Sequence, residues 1–274
     1  MQNRVDRVVS TSKGNRTLTA ILPKWRSAPS NLALGTGEVH VWRLCLGPGP
    51  AADANALRGL LSEDERRRAD RYRFDRHRDR FTVCRGTLRN LLGRYLEVQA
   101  DSIRFEYGEH GKPSIADPPE GRTICFNLAH SRNMALFAFS RHQAVGIDIE
   151  YRRPMPRAEA LAKRFFSAEE HRVIQSLSPD HRQQAFYDCW TRKEAYVKAT
   201  GAGFSFPLAR FTVSLAPDEP ARLIRVEGSP ELAKGWTVVA VVPSADYVAA
   251  LAVRGNVENL RWWESPLTGC QKKM

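Results

Sequence analysis

The feature that most limits what this chain can fold into is a repeat. "LSEDERRRADRYR" (61–73) and "FSAEEHRVIQSL" (166–177) both place a serine three residues ahead of a glutamate, the capping box that opens a helix. "RFTVCRGTLRNLLGRYL" (80–96) and "AFYDCWTRKEAYVKATG" (185–201) both carry F-x-x-C near their start. Ser62 and Ser167, Phe81 and Phe186, and Cys84 and Cys189 are each 105 residues apart. Ahead of each helical pair stands a run with the two-residue period of a strand, "EVHVWRLCL" (38–46) and "AVGIDIEYR" (144–152). Behind each come further strand-like runs, "SIRFEY", "TICFNLA" and "MALFAFS" in the first case, "ARFTVSL", "WTVVAVV" and "DYVAALAV" in the second. A constant register of this kind predicts an α+β fold made by pseudo-twofold duplication of one α/β unit. The halves are expected at 38–143 and 144–255. A flexible leader (1–37) and a C-terminal tail (256–274) lie outside them.

The duplication also shows where the halves diverge. In a strand, residues two apart share a face, so Asp148 and Glu150 stand side by side. At the constant offset they map onto Arg43 and Cys45, and Glu194 maps onto Arg89. Acids are thus confined to the second half at these places. Paired carboxylates are what a hard divalent cation needs, and Mg²⁺ completes its shell with water and substrate phosphate. A half-exposed strand with a polar outer face is the alternative meaning. Glu194 and Lys198, four apart in "CWTRKEAYVKATGAG" (189–203), share one helix face with Trp190 and Val197 nearby. "GEHGKPSI" (108–115) is a turn that presents Lys112, and "CFNLAHS" (125–131) ends a strand in a polar cluster of Asn127, His130 and Ser131.

The chain has 274 residues and a net charge of +12, which favours an anionic partner such as a phosphorylated small molecule, an acidic protein or nucleic acid. Its arginine-rich run "RRRADRYRFDRHRDRF" (66–81) is a solvated helix face or a phosphate cradle. The five cysteines are scattered and form no C-x-x-C pair, which argues against a disulfide framework or zinc site and fits a cytoplasmic setting. No apolar run is long enough to span a membrane.

"GIDIE", followed about forty residues later by "WTRKEAYVK" and preceded by "GKP" and "FNLAHS", resembles the 4′-phosphopantetheinyl transferases. The resemblance is to the larger, surfactin-synthetase-activating type, a pseudo-dimer of two α+β halves, and runs over roughly residues 38–254. It implies transfer of 4′-phosphopantetheine from coenzyme A to a serine of an apo acyl or peptidyl carrier protein, releasing adenosine 3′,5′-bisphosphate. The site would lie in the cleft between the halves. By motif match, Asp148, Glu150 and Glu194 would hold Mg²⁺, and Lys198 would contact phosphate and neutralise the leaving group. Lys112 and His130 match positions that bind coenzyme A, with Arg85 and Arg80 completing the anion pocket. Either Glu194 or a metal-bound water would take the serine proton; Glu194 is favoured. One departure is Ala129, where the family more often has serine.

A metal-dependent nuclease is the rival enzyme, with Arg152 two residues after Glu150 as a partial match to its acid-x-lysine pattern. A basic nucleic-acid-binding module would leave the paired acids working against binding. The transferase reading expects a monomer, with neither nucleic acid nor membrane as partner.

Overall fold

The computed structural model describes residues 20–47, 51–203, 206–216 and 219–265. A two-residue strand, β1 (Arg26–Ser27), precedes the first half. That half runs β2 (Glu38–Cys45), α1 (Ala51–Arg58), α2 (Glu63–Asp70), α3 (Asp75–Leu96), β3 (Phe105–Tyr107), β4 (Pro113–Ile115), β5 (Ile124–Ser131) and β6 (Met134–Arg141). The second repeats the order: β7 (Val145–Tyr151), α4 (Ala158–Phe165), α5 (Ala168–Ser176), α6 (Pro179–Thr200), β8 (Phe211–Val213), β9 (Leu223–Val226), β10 (Trp236–Val241) and β11 (Tyr247–Arg254). A last strand, β12 (Asn259–Glu264), follows.

Strand order agrees as well. β2, β6 and β5 lie side by side, as do β7, β11 and β10, all antiparallel. One apolar core sits between α3 and the first sheet, with Trp42, Leu88 and Phe137 in it. A second sits between α6 and the second sheet, with Phe186, Tyr196 and Ala250. A third joins the halves, with Val41, Leu136, Ile147 and Leu251. The duplicated α+β fold is thus a stack of helix, sheet, sheet and helix. The alternation in "AVGIDIE" follows from that stack: Val145, Ile147 and Ile149 enter the inter-half core, so Gly146, Asp148 and Glu150 face the other way.

Three details depart from expectation. The offset of 105 holds along the helices but slips by one in the opening strands. Trp42 pairs with Phe137 and Asp148 with Ala250, so Trp42 and Leu44, not Arg43 and Cys45, hold the places of Asp148 and Glu150. A one-residue slip turns every strand side chain to the opposite face, and local matching of short motifs does not detect it. Second, the boundaries drawn at 37 and 255 are crossed. β12 inserts between β1 and β2, parallel to both, and buries Trp262. Leu32 and Leu34 enter the first core, while Ile21 bonds across to Ala240 and Val242. Residues 1–19 of the expected leader lie outside the described residues. Third, Cys84, Cys125 and Cys189 are free thiols, whereas Cys45 is disulfide-bonded. Among the described residues no helix is long and apolar enough to cross a membrane.

Candidate active site

The site begins with a glycine. A methyl on Gly146 would fall on the Ala195 carbonyl oxygen and the Ala199 amide nitrogen, so only glycine lets the backbone of α6 come this close to β7. The close approach brings the 194–198 turn of α6 against the acids of β7. Lys198 Nζ donates to Asp148 Oδ1 at 2.5 Å. Asp148 Oδ2 is buried and has no hydrogen-bond partner among the described residues. Glu150 is half-buried and accepts from Ser131 Oγ at 3.0 Å.

The three carboxylates feel one another. Burial raises the proton affinity of Asp148, opposed by Lys198. Burial and then the Asp148 charge raise that of Glu150. Glu194 is raised by burial, then by Asp148 and Glu150, with Lys198 opposing. Upward shifts of this kind mark groups held in a state that a cation would relieve. The residues nevertheless do not form a ready cage: among those described, no group of three or more His, Cys, Asp or Glu stands as a metal site. Lys198 rests on Asp148 instead. The donor set, hard carboxylate oxygens with one orphaned and buried, fits Mg²⁺.

A basic cluster faces these acids. The His130 imidazole, though solvent-accessible, is held below the usual histidine range by partial desolvation and by Lys198, Arg80 and His77. Arg80 Nη2 donates to Asn133 Oδ1 at 2.7 Å, which aims its guanidinium along the same edge. His77 belongs to this cluster and was missed; only its place in the arginine-rich run could have pointed to it. Arg85 is buried in the first half, 3.2 Å from Glu65, a carboxylate it shares with Arg89, and over the Phe105 ring.

Lys112 lines a cavity of about 180 Å³ together with Asn127, Glu194 and Lys198, and its ammonium donates to two backbone carbonyls, Ala199 at 2.8 Å and Val145 at 3.2 Å. Asn127 and Ser131 act on the same strand. Asn127 Oδ1 accepts from Ile147 N at 2.8 Å, and Ser131 Oγ from Tyr151 N at 3.0 Å. β7 ends its sheet, so side chains of the first half satisfy backbone groups on its free edge. Ala129 falls between them, facing Ile149.

Lys193 was not singled out by the sequence reading. It is fully buried, 2.8 Å from the capping-box Glu170, and donates to the carbonyls of Leu208 and Phe211. Glu170 in turn accepts from Val213 N at 2.8 Å. The pair ties α5, α6 and β8 together behind Glu194.

Two stacked sheets, each backed by its own helices and with the carboxylates of the second half close to basic groups of the first, define a protein of the two-half α+β class. A family model described as the 4′-phosphopantetheinyl transferase superfamily matches residues 144–252, and one for the N-terminal part of 4′-phosphopantetheinyl transferases matches residues 50–142. The chain is 41% identical over 239 residues to the 4′-phosphopantetheinyl transferase HetI of Nostoc sp., covering 87% of this chain and 97% of that one. It is 33% identical over 159 residues to the transferase Sfp of Bacillus subtilis, covering 58% and 68%. Among solved structures, a holo-[acyl-carrier-protein] synthase of Thermotoga maritima is similar over 41% of this chain and 63% of that one, at 22% identity and a TM-score of 0.33. The chain belongs to the 4′-phosphopantetheinyl transferase superfamily. Its reaction is transfer of phosphopantetheine from coenzyme A to a carrier protein.

Proposed function

We propose that the transfer depends on Mg²⁺ held by Asp148, Glu150 and Glu194, at the seam between the halves. The observation that carries this is the orphaned, buried Asp148 Oδ2 beside two further carboxylates of raised proton affinity. When bound, the ion supplies positive charge to the pyrophosphate oxygens of coenzyme A.

This chain's own residues do the rest. His130 and Arg80 bind the 3′-phosphate, with His77 beside them. Lys198 leaves Asp148 for phosphate once the carboxylates are otherwise neutralised, and meets the charge that grows on the leaving group. The acceptor serine of an acyl or peptidyl carrier attacks the β-phosphorus. Its Oγ–P bond forms while the bond to the bridging oxygen breaks, and adenosine 3′,5′-bisphosphate departs. The serine proton passes to Glu194, which lines the cavity beside Lys198. A carboxylate has two oxygens, so ion binding and proton acceptance are compatible on one side chain. Net charge of +12 steers acidic carriers towards the chain. A cytoplasmic monomer is the expected state, since the second half supplies internally the interface a half-sized relative would need from a partner.

The test mixes the protein with coenzyme A labelled on its pantetheine end and apo carriers of fatty-acid, polyketide and peptide type. Label on the carrier serine is expected with Mg²⁺, and neither with chelator nor with Asp148→Ala. Transfer that survives chelator or Asp148→Ala refutes the proposal.

A further inference from the structure

The turn between β3 and β4 belongs to the first half yet docks on the second. The alkyl chain of Lys112 lies across Gly201, where a methyl would stand 3.3 Å from Lys112 Cδ. On the same turn His110 closes on Gly203, whose added Cβ would be 2.6 Å from His110 Cβ. Both glycines have positive φ, +74° and +67°, so the chain leaving α6 is shaped to receive the turn. Lys112 Nζ then reaches the carbonyls of Ala199 and Val145. Ala199 O is among the last four carbonyls of α6, which the helix itself leaves unmet, and a cation there complements the helix dipole. Among the described residues no carboxylate pairs with Lys112. Burial brings its pKa down to about 8, with Cys125 the titratable neighbour.

The two carbonyls are informative by position. Ala199 follows Lys198 directly and lies one and a half turns beyond Glu194, and Val145 stands three residues before Asp148. Between them is the backbone contact that Gly146 permits. We propose that Lys112 is a positioning residue: it fastens the end of α6 to the start of β7, and so sets Glu194 and Lys198 against Asp148, instead of contacting coenzyme A. This rests on the reading of those residues as the reaction centre.

The experiment compares Lys112→Met and Lys112→Arg with the wild type, measuring kcat in the labelled-transfer assay and Kd for coenzyme A by calorimetry. A positioning residue predicts kcat down by about 10- to 100-fold in Lys112→Met, because misplacement by an ångström has effects of that size. Coenzyme A affinity should stay within about twofold, and Lys112→Arg, which can also donate to two carbonyls, should recover most of the rate. Affinity weakened tenfold or more, whatever kcat does, overturns the proposal. Should Lys112→Met not fold, wild-type protein decides by acylation of its lysines with acetic anhydride, which transfers one acetyl group to a free amine and releases acetate. A fastened Lys112 reacts equally slowly with and without coenzyme A; a phosphate contact reacts when free and is protected when coenzyme A binds. A wild type that transfers no label would sink the reaction-centre reading alone, and the acylation pattern would still decide the fastening.

Discussion

The two halves solve the same packing problem in opposite ways. Each lays one long helix across a sheet with the same three strands at its centre, extended in the first half by β12 and β1. In the first half the gap is filled: Trp42 is fully buried, and the Tyr95 hydroxyl of α3 accepts from Trp42 Nε1 at 2.8 Å and pairs with His40 Nδ1 at 2.7 Å. In the second half the equivalent strand places carry Asp148 and Gly146. The helix comes down on the glycine, and the acids meet Glu194 and Lys198 where aromatic rings would otherwise stand. The capping-box glutamates follow the same division. Glu65 is neutralised by Arg89 at 2.6 Å; Glu170 is neutralised by Lys193, one helix position earlier in the repeat. That shift of one residue leaves position 194 free for an acid. One half is a scaffold and the other, on the same scaffold, is a reaction centre.

Filling the gap in the second half should have the largest effect. Gly146→Val forces α6 off β7, and overpacking of this kind costs about 1–3 kcal/mol or more. Transfer should fall by about 100-fold or more, as expected for displaced catalytic groups, read as kcat in the labelled assay. Unchanged kcat would show that the close approach does not build the site.

Equivalent helix positions should then give opposite outcomes. Arg89→Met leaves Glu65 buried without its closest partner and should lose about 3–5 kcal/mol of stability in urea melts. Glu194→Gln should lose no stability and lose about 10²- to 10⁴-fold in kcat, the size of a general-base contribution. If the two variants behave alike, the division of labour is wrong.

Acid titration separates the halves more gently. Glu38 is held down to about 2, chiefly by the hydrogen bond from His40, against the opposing effect of burial. Its folded pKa lies below the unfolded value of about 4.3, so its stabilisation is present above that value and is lost as pH falls towards 2. Glu194 is shifted the other way, so its ionisation weakens the metal-free fold once pH exceeds the unfolded value. Glu194→Gln should therefore raise the thermal midpoint at pH 7 more than at pH 4, and Glu38→Gln should lower it at pH 5 more than at pH 2.

The smallest effect is expected at Ala129. Its neighbours Asn127 and Ser131 bond to Ile147 and Tyr151, so a hydroxyl at 129 faces Ile149 within the seam. Ala129→Ser should change kcat/KM by less than about threefold, roughly 0.6 kcal/mol of barrier, because the side chain is buried in the core that joins the halves. A larger gain would mean that the hydroxyl reaches coenzyme A.

Much of this was legible in the sequence because it is local. Capping boxes, helix lengths and the two-residue period of the strands are set by neighbours in the chain, and they gave the duplicated fold and the acids of the second half. What escaped depends on distant partners. The parallel insertion of β12 beside β2 joins residues more than two hundred positions apart. The one-residue slip between Trp42 and Asp148 appears only when strand partners are known. Lys112 and Arg85 were both expected at the coenzyme A pocket, and one ends on backbone carbonyls and the other beside a buried glutamate. Gly146 was the readable clue that was passed over: a glycine inside a strand marks close backbone approach.

The central claim is that the helix-facing side of β7, and not that of β2, is the reaction centre. The most direct measurement is Mn²⁺ binding, with Mn²⁺ as the probe for Mg²⁺, followed by electron paramagnetic resonance in the presence of coenzyme A. The account predicts that wild type and Trp42→Phe bind the ion with similar affinity, while Asp148→Asn loses it. Binding that survives in Asp148→Asn, or disappears equally in a folded Trp42→Phe, would contradict it.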